Sequence, residues 1–494
     1  MITVGAADFI RILPEVVVSV FAIVVMMLEP VTPLGRKKIL GWIAITGLIL
    51  GGVCAAEIAF YTGTAFSASV LNDGFSIYLI ELLLAIAVLT VLGSMSYLER
   101  DAVDHGEFYA LILMAAAGGA FMVASTDLIM VFIGLEISSI STYILAGYKR
   151  GELQSNESSV KYFLLGSFAT AFFLYGIAFV YGLTRSVNLT VVRQQLVDSG
   201  AASAATNPSP QLLWLAVILM FVGLAFKVST VPFQIWTPDV YQGAPAPVTA
   251  FLSTAPKAAA FAVLVRVMIG SFGSGSSGPA GSIVFWLLWI SALLTMTVGN
   301  LAALWQSNVK RLLAYSSIAH AGYILVGITA GGSEGTAAVL FYLAGYALMN
   351  VAAFILIAHL AGPGERRLEV SDYTGLASAR PGVAACLTVL MLSLAGFPST
   401  VGFFAKFYVF RSAMHAHLTA LTVIALLNSV VSVYYYLHLV VAMYMGEGKT
   451  QTSAAPLPRP LGLALALSVM GIFFLGLFPS TLLGSLISLR LPWS

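Results

Sequence analysis

The sequence predicts an all-α polytopic membrane protein with about 14 transmembrane helices. Three observations predict it. The 494 residues are 59% hydrophobic and 9% charged, where a soluble domain carries about 25% charged residues, and the mean hydropathy is +0.96. The apolar residues gather in runs of about 20, enough to cross a bilayer at about 1.5 Å per helical residue. The basic residues between the runs are dense on alternate sides, as the positive-inside rule requires.

Fourteen runs can be marked, at residues 9–28, 39–60, 75–96, 107–125, 127–148, 160–183, 212–235, 248–269, 283–305, 311–330, 335–361, 382–410, 418–445 and 460–484. The first, Phe9–Leu28, reads as a retained span, because no basic region precedes it and no small-residue cleavage site follows it. The fourth and fifth are divided only by Ser125, Thr126 and Asp127, so their separation rests on length. With the N-terminus outside, the inner loops collect fourteen basic residues: Arg36, Lys37, Lys38, Arg100, Lys149, Arg150, Lys161, Lys310, Arg311, Arg366, Arg367, Arg380, Lys449 and Arg459. The outer side holds six: Arg11, Arg185, Arg193, Arg266, Arg411 and Arg490. Of the 23 basic residues, Lys227, Lys257 and Lys406 remain, and no loop explains them.

Other classes are excluded along the way. The net charge of +2 is spread over short loops rather than massed on one face, so no nucleic-acid partner is expected. Cys54 and Cys386 lie in apolar runs without C-x-x-C spacing and read as packing residues, holding neither an iron–sulfur cluster nor a disulfide framework. Gly273, Gly275 and Gly278 satisfy G-x-G-x-x-G, but the stretch 270–282 joins two spans with no strand before it, and reads as a flexible outer linker. No metal site, nucleophile triad or phosphate loop is recognisable.

Pro232 follows Lys227 by five residues; its missing N–H and its ring clash with the Val228 carbonyl should break the helix just after the lysine. Pro398 marks a second break ahead of Lys406. Each break falls in the fourth helix of a five-span set. Five being odd, the two sets would be inverted relative to each other, which points to a conduction site between them. The expected organisation is an N-terminal three-helix segment (1–106), a first five-helix unit (107–270), a second inverted one (271–445) and a C-terminal helix (446–494).

An ionised group at membrane depth is costly and marks an ion path. Glu136 in the fifth run is the natural partner of Lys227. Paired, the two stabilise the charged lysine; moved apart, burial favours release of its proton, a two-state switch. The alternative is a static ion pair that fixes packing. Lys257 and Lys406 read as further relay stations, the alternative being snorkelling to an interface. Glu81 in the third run either faces a neighbouring subunit or contributes to the interior. His320, His359 and His438 could bridge waters in a proton path or serve as interhelical hydrogen-bond partners. His320 stands out, because Ser316, Ser317 and His320 lie at helical spacing and make one face polar.

Four segments carry a resemblance: ILPEVVVSVFAIVVMMLEP, NESSVKYFLLGSFATAFFLYGIAFVYG, KVSTVPFQIWTPDVYQGAPAPVTAFLSTAPK and LSLAGFPSTVGFFAKFYVF. With Glu136, Lys227, Lys257 and Lys406 they resemble the antiporter-like subunits of respiratory complex I and of Mrp sodium/proton antiporters. Within that family the chain is most similar to the subunit N branch of bacterial proton-pumping NADH:quinone oxidoreductases. Subunit M types usually carry a glutamate where this chain has Lys406, subunit L types continue into a lateral helix, and Mrp types lack this form of the opening segment.

The resemblance implies a fold of fourteen helices with discontinuous helices 7 and 12. It also implies one proton channel in a membrane arm, driven by NADH-to-quinone electron transfer elsewhere. Glu136 and Lys227 would be the modulating pair, Lys257 the central relay and Lys406 the link to the other half-channel. No cofactor is expected on this chain; NADH, FMN, iron–sulfur clusters and quinone would belong to partner subunits. The expected partners are small membrane-arm subunits, a second antiporter-like subunit, the lipid bilayer and protons. The expected location is a bacterial inner (plasma) membrane, with both termini on the periplasmic side. The competing readings are a subunit of a Mrp-type antiporter or membrane-bound hydrogenase, and a purely structural membrane-arm subunit.

Overall fold

The computed structural model describes residues 5–33, 35–198, 210–273, 278–446, 451–453 and 455–489. Gly275, Lys449 and Arg490, which entered the linker and loop-charge readings, lie outside them. The helices that matter here are α1 (Leu13–Leu28), α2 (Lys38–Ile58), α3 (Gly74–Arg100), α4 (Gly106–Ala124), α5 (Leu128–Ala146), α6 (Leu153–Thr184), α7 (Pro210–Val228), α8 (Trp236–Gly243), α9 (Ala246–Leu252) and α10 (Ala255–Leu264). They continue with α11 (Gly278–Ala303), α12 (Val309–Ala330), α13 (Gly332–Ala361), α14 (Pro381–Ala395), α15 (Val401–His415), α16 (Thr419–Met445) and α17 (Arg459–Leu477). A short antiparallel hairpin, β1 (Gly63–Ala65) and β2 (Val70–Asn72), interrupts the all-helical pattern between α2 and α3.

Among the described residues, 12 helices are long and apolar enough to cross a membrane. The predicted spans 9–28 and 382–410 fall instead on the shorter apolar helices Leu13–Leu28 and Pro381–Ala395, the latter followed by α15. Burial sorts the bundle into layers. The stretches Ala246–Phe272, Val309–Ala330 and Gly332–Ala361 are buried along nearly their whole length and form its centre, whereas α16 and α17 bury only about a third of their residues and lie at its edge. Peripheral helices expose large apolar side chains such as Phe168, Leu427, Val430 and Met470, the surface expected where the solvent is hydrocarbon.

Both predicted breaks are present. Helix α7 stops at Val228, Ser229 takes φ 63°, and a short 3-10 turn over Phe233–Ile235 leads into α8. Helix α14 stops at Ala395, and Gly396 (φ 94°) and Ser399 (φ 70°) carry the chain into α15. A third discontinuity is new: α9 ends at Leu252 and α10 restarts at Ala255, with Pro256 in its first turn, immediately before Lys257. The thin separation between the fourth and fifth spans also holds, because Asp127 caps α5 by accepting from the Ile129 and Met130 amides.

The two five-helix sets share a backbone motif. Leu128 N–H donates to Val187 O (2.9 Å) and Leu189 N–H to Thr126 O (2.8 Å), tying the start of α5 to the segment after α6. In the second set Val309 N–H donates to Leu368 O (2.7 Å) and Val370 N–H to Ser307 O (2.9 Å), tying the start of α12 to the segment after α13. The first tie lies at the hairpin end of the bundle, where Asn188 Nδ2 donates to Ala68 O. The second lies at the opposite end, where the termini of α3, α5, α8 and α13 meet.

Candidate functional site

The unexplained lysines are all buried inside protein: Lys227 is 5% exposed, Lys257 3% and Lys406 5%. None of the three snorkels to an interface. Each sits beside a place where the helical backbone is interrupted, and each is surrounded by aromatic rings and hydroxyls.

Lys227 occupies the last turn of α7. Its Nζ donates to the Tyr143 hydroxyl at 3.4 Å and lies 5.0 Å from the Tyr143 ring, 5.3 Å from Tyr162 and 6.0 Å from Phe226. This is a cation–π cage, able to hold an ammonium without an adjacent carboxylate. Glu136 stands on α5, two turns before Tyr143, within electrostatic reach of Lys227, and among the described residues no ion pair joins the two. Glu136 Oε1 is buried and has no hydrogen-bond partner.

Between Lys227 and Lys257 the space is filled by stacked rings. Tyr162 stacks on Trp236 with centroids 4.5 Å apart, and Trp236 meets Tyr241 edge-on at 6.0 Å. The Lys257 ammonium lies 5.5 Å from the Tyr241 ring. From Lys257 onward the contacts become hydrogen bonds. Lys257 Nζ donates to Ser317 Oγ (2.6 Å), which also accepts from the Tyr346 hydroxyl (2.8 Å); Asn350 Nδ2 donates to that same hydroxyl (2.9 Å).

His320, one turn beyond Ser317 on α12, bridges two tyrosines. Its Nδ1 lies 2.5 Å from the Tyr342 hydroxyl and its Nε2 3.1 Å from the Tyr436 hydroxyl, which also bonds Ser316 Oγ. A group with a hydrogen-bonding atom on each side of its ring can take a proton from one neighbour and hand one to the other. Nearby, the Tyr435 hydroxyl donates to Asn300 Oδ1 (3.0 Å), and Asn300 Nδ2 donates to the Tyr323 hydroxyl (2.9 Å). The Tyr323 ring lies 5.3 Å from Lys406 Nζ, which donates to Ala395 O (2.9 Å), a carbonyl freed by the α14 break, and to Ser429 Oγ (3.1 Å).

Glu81 and His438 are not brought into this line. Glu81 is exposed on α3, and His438 is exposed on α16, stacked against Tyr434. His359 lies near the end of α13, and its Nε2 bonds the Ala455 carbonyl in the segment that leads into α17. Several members were missed from sequence. Tyr342, Tyr346 and Asn350 recur every four residues on α13, and Asn428, Ser432 and Tyr436 do so on α16. That spacing was a usable signal, because each set forms one helix face opposite the Ser316–His320 stripe. Glu15, fully buried on α1 with neither carboxylate oxygen partnered, was also missed.

A family profile described as NADH:quinone oxidoreductase/Mrp antiporter, TM, matches residues 125–432. The chain belongs to this family. The matched stretch holds Glu136, the three buried lysines and His320. A relative from Solibacter usitatus (strain Ellin6076), called NADH-quinone oxidoreductase subunit N 1, is 49% identical over 440 residues, 87% of this chain and 86% of the relative. A chain of respiratory complex I from Thermus thermophilus is similar at 35% identity with a TM-score of 0.79, over 96% of this chain and 99% of that one. A chain of the Mrp complex from Dietzia sp. DQ12-45-1b shares the fold, with a TM-score of 0.80 at 20% identity over 97% of both chains.

Proposed function

We infer that the chain is the proton-translocating membrane-arm subunit of an NADH:quinone oxidoreductase, working beside the other subunits of that complex. The observation that carries this reading is the buried line from Lys227 through Lys257, Ser317 and His320 to Lys406, each member in contact with titratable or hydrogen-bonding groups. NADH, FMN, iron–sulfur clusters and quinone belong to partner subunits. The neighbours are small membrane-arm subunits and a second antiporter-like subunit, and the exposed Glu81 faces one of them.

In this reading Glu136 and Lys227 are the modulating pair, Lys257 the central relay and Lys406 the link to the second half-channel. His320 carries protons between Tyr342 and Tyr436. The ring stack of Tyr162, Trp236 and Tyr241 separates the two halves, so transfer from Lys227 to Lys257 needs a rearrangement of the broken helices, at Pro232 on the first side and Pro398 on the second. The chain crosses the membrane fourteen times, in a three-helix segment (1–106), two inverted five-helix units (107–270 and 271–445) and a C-terminal helix (446–494). The repeated backbone tie at opposite ends of the bundle supports that inversion. The host membrane is a bacterial plasma membrane with both termini periplasmic, as the loop charges favour.

The test is NADH-driven acidification of inverted membrane vesicles in sodium-free medium, for wild type and Lys406→Ala. Acidification without sodium that is lost in the variant, with the complex assembled, is the expected result. A requirement for sodium would move the chain to the cation/proton antiporter reading.

A further inference from the structure

Three inner-loop lysines, Lys37, Lys149 and Lys310, are about as buried as those of the proton line, and Lys310 holds a joint in the backbone. Helix α8 ends at Gly243 and α9 begins at Ala246, and the connecting Ala244–Pro245 leaves two backbone groups without helical partners. One is the Ala244 carbonyl, which accepts from Lys310 Nζ at 2.6 Å. The other is the Ala246 N–H, which donates to Glu365 Oε1 at 2.7 Å. Lys310 and Glu365 are themselves bonded, Nζ to Oε2 at 2.7 Å, so the two side chains close a ring across the joint. Glu365 Oε1 also accepts from the Tyr97 hydroxyl of α3 at 2.5 Å.

Several features set this apart from an ordinary ion pair. The Lys310 side chain is 1% exposed and that of Glu365 9%, and a pair this buried is weak support for stability, since apolar replacements often serve as well. Its bonds nevertheless reach two specific backbone atoms on either side of one joint. Glu365 also holds a left-handed backbone (φ 50°), which a non-glycine residue adopts rarely, following Gly362 and Gly364 at φ 75° and 66°. The loop is thus bent so as to deliver its carboxylate. Burial pushes the Glu365 carboxyl up, but Lys310, Tyr97 and the Ala246 amide outweigh it and hold it below the usual carboxylate range.

The joint lies between the broken helix that carries Lys227 and the one that carries Lys257, and Lys310 stands two turns before Ser317 on α12. We propose that Lys310 and Glu365 are positioning residues, a clasp that fixes the Gly243–Ala246 joint and thereby the spacing at which Lys227 and Lys257 exchange protons. This rests on the proton-relay reading above.

The experiment uses inverted vesicles containing the whole complex, its amount measured by NADH oxidation with a hydrophilic artificial acceptor. Glu365→Gln retains shape but turns an amide donor or a neutral acceptor toward Lys310; acidification per assembled complex should fall about tenfold, the factor that 1.4 kcal/mol represents. Lys310→Arg, which keeps the charge and a donor for Ala244, should stay within about twofold of wild type, by the charge-assisted bonding both cations share. The double reversal Lys310→Glu with Glu365→Lys restores an ion pair but sets a carboxylate against the Ala244 carbonyl and an ammonium against the Ala246 amide. The clasp predicts no recovery; recovery would overturn it. Normal pumping by Glu365→Gln would overturn it too, provided Lys257→Met in the same membranes abolishes pumping. If Lys257→Met also pumps normally, the relay reading itself has failed. Should Glu365→Gln not assemble, hydrogen exchange in the wild-type complex decides: the Ala246 amide must be as protected as the core of α12, and fast exchange refutes the clasp.

Discussion

Lys257→Met separates stability from function more cleanly than any other single change. Methionine has nearly the length of lysine without its charge. The ammonium would lose one charge-assisted hydrogen bond to Ser317, about 1.5–3 kcal/mol, and a contact with the Tyr241 ring, about 0.5–2 kcal/mol. Against that stands the cost of keeping a charge in a site 3% exposed, several kcal/mol for one ion. The opposing terms are of similar size, and replacement of buried charge by apolar side chains is often neutral or stabilising by about 1–4 kcal/mol. The Ser317 hydroxyl keeps its bond from Tyr346, so no hydroxyl is orphaned. Assembly and thermal stability of the solubilised complex should therefore match or exceed wild type. Pumping should not survive. A positioned proton-transfer group is worth about 100-fold to 10,000-fold in rate, so NADH-driven acidification per assembled complex should drop below a hundredth. Assembled complexes that acidify vesicles at the wild-type rate would refute the relay.

Three further outcomes follow from the geometry. Tyr436→Phe removes the hydroxyl that joins Ser316 to His320 while preserving the ring, so acidification should fall about tenfold with little change in assembly, and His320→Phe in addition should cost no more than either change alone, because both act on one path. Gly402→Ala should abolish assembly, since a Cβ there would overlap the Ser393 carbonyl and backbone cannot yield as a flexible side chain can; an immunoblot of the assembled complex reads this out. Glu365 is held below the usual carboxylate range, so its share of stability is complete above its unfolded pKa of about 4.3 and is lost only as pH falls through the lower folded value. The difference in thermal midpoint between wild type and Glu365→Gln should thus be constant from about pH 8 to pH 5.5 and shrink only in stronger acid; a difference that vanishes near neutrality would contradict the assignment.

Much of the fold was legible because a bilayer imposes one length on every apolar run, and because proline breaks a helix wherever it falls. The end of α7 at Val228 needed nothing more than those rules, and the polar face of Ser316, Ser317 and His320 needed only helical spacing besides. The break before Lys257 was not legible, because a proline in the first turn of a helix is as compatible with a continuous span boundary as with an interruption. Lys149 and Lys310 were counted as loop charges, since hydropathy places charged residues at the ends of spans. Their burial arises only from tertiary packing of the loops: Lys149 pairs with Asp101 at 2.6 Å, and Lys310 with Glu365 across the Gly243–Ala246 joint. The surroundings of Lys227 were not legible, because the aromatic cage that takes it joins the adjacent Phe226 to Tyr143 and Tyr162, distant in sequence. Tyrosine was the largest omission: it counts as apolar in a hydropathy sum, yet Tyr342, Tyr346 and Tyr436 supply the hydroxyls of the line.

The central claim is that Lys227 is a proton site coupled to electron transfer. The most direct measurement is the initial rate of NADH-driven acidification of inverted vesicles carrying Lys227→Ala, with NADH:quinone electron transfer recorded in the same membranes. The account predicts that both rates fall while the assembled complex remains present. Unchanged rates of both would mean that the caged lysine is structural and that protons do not pass this way.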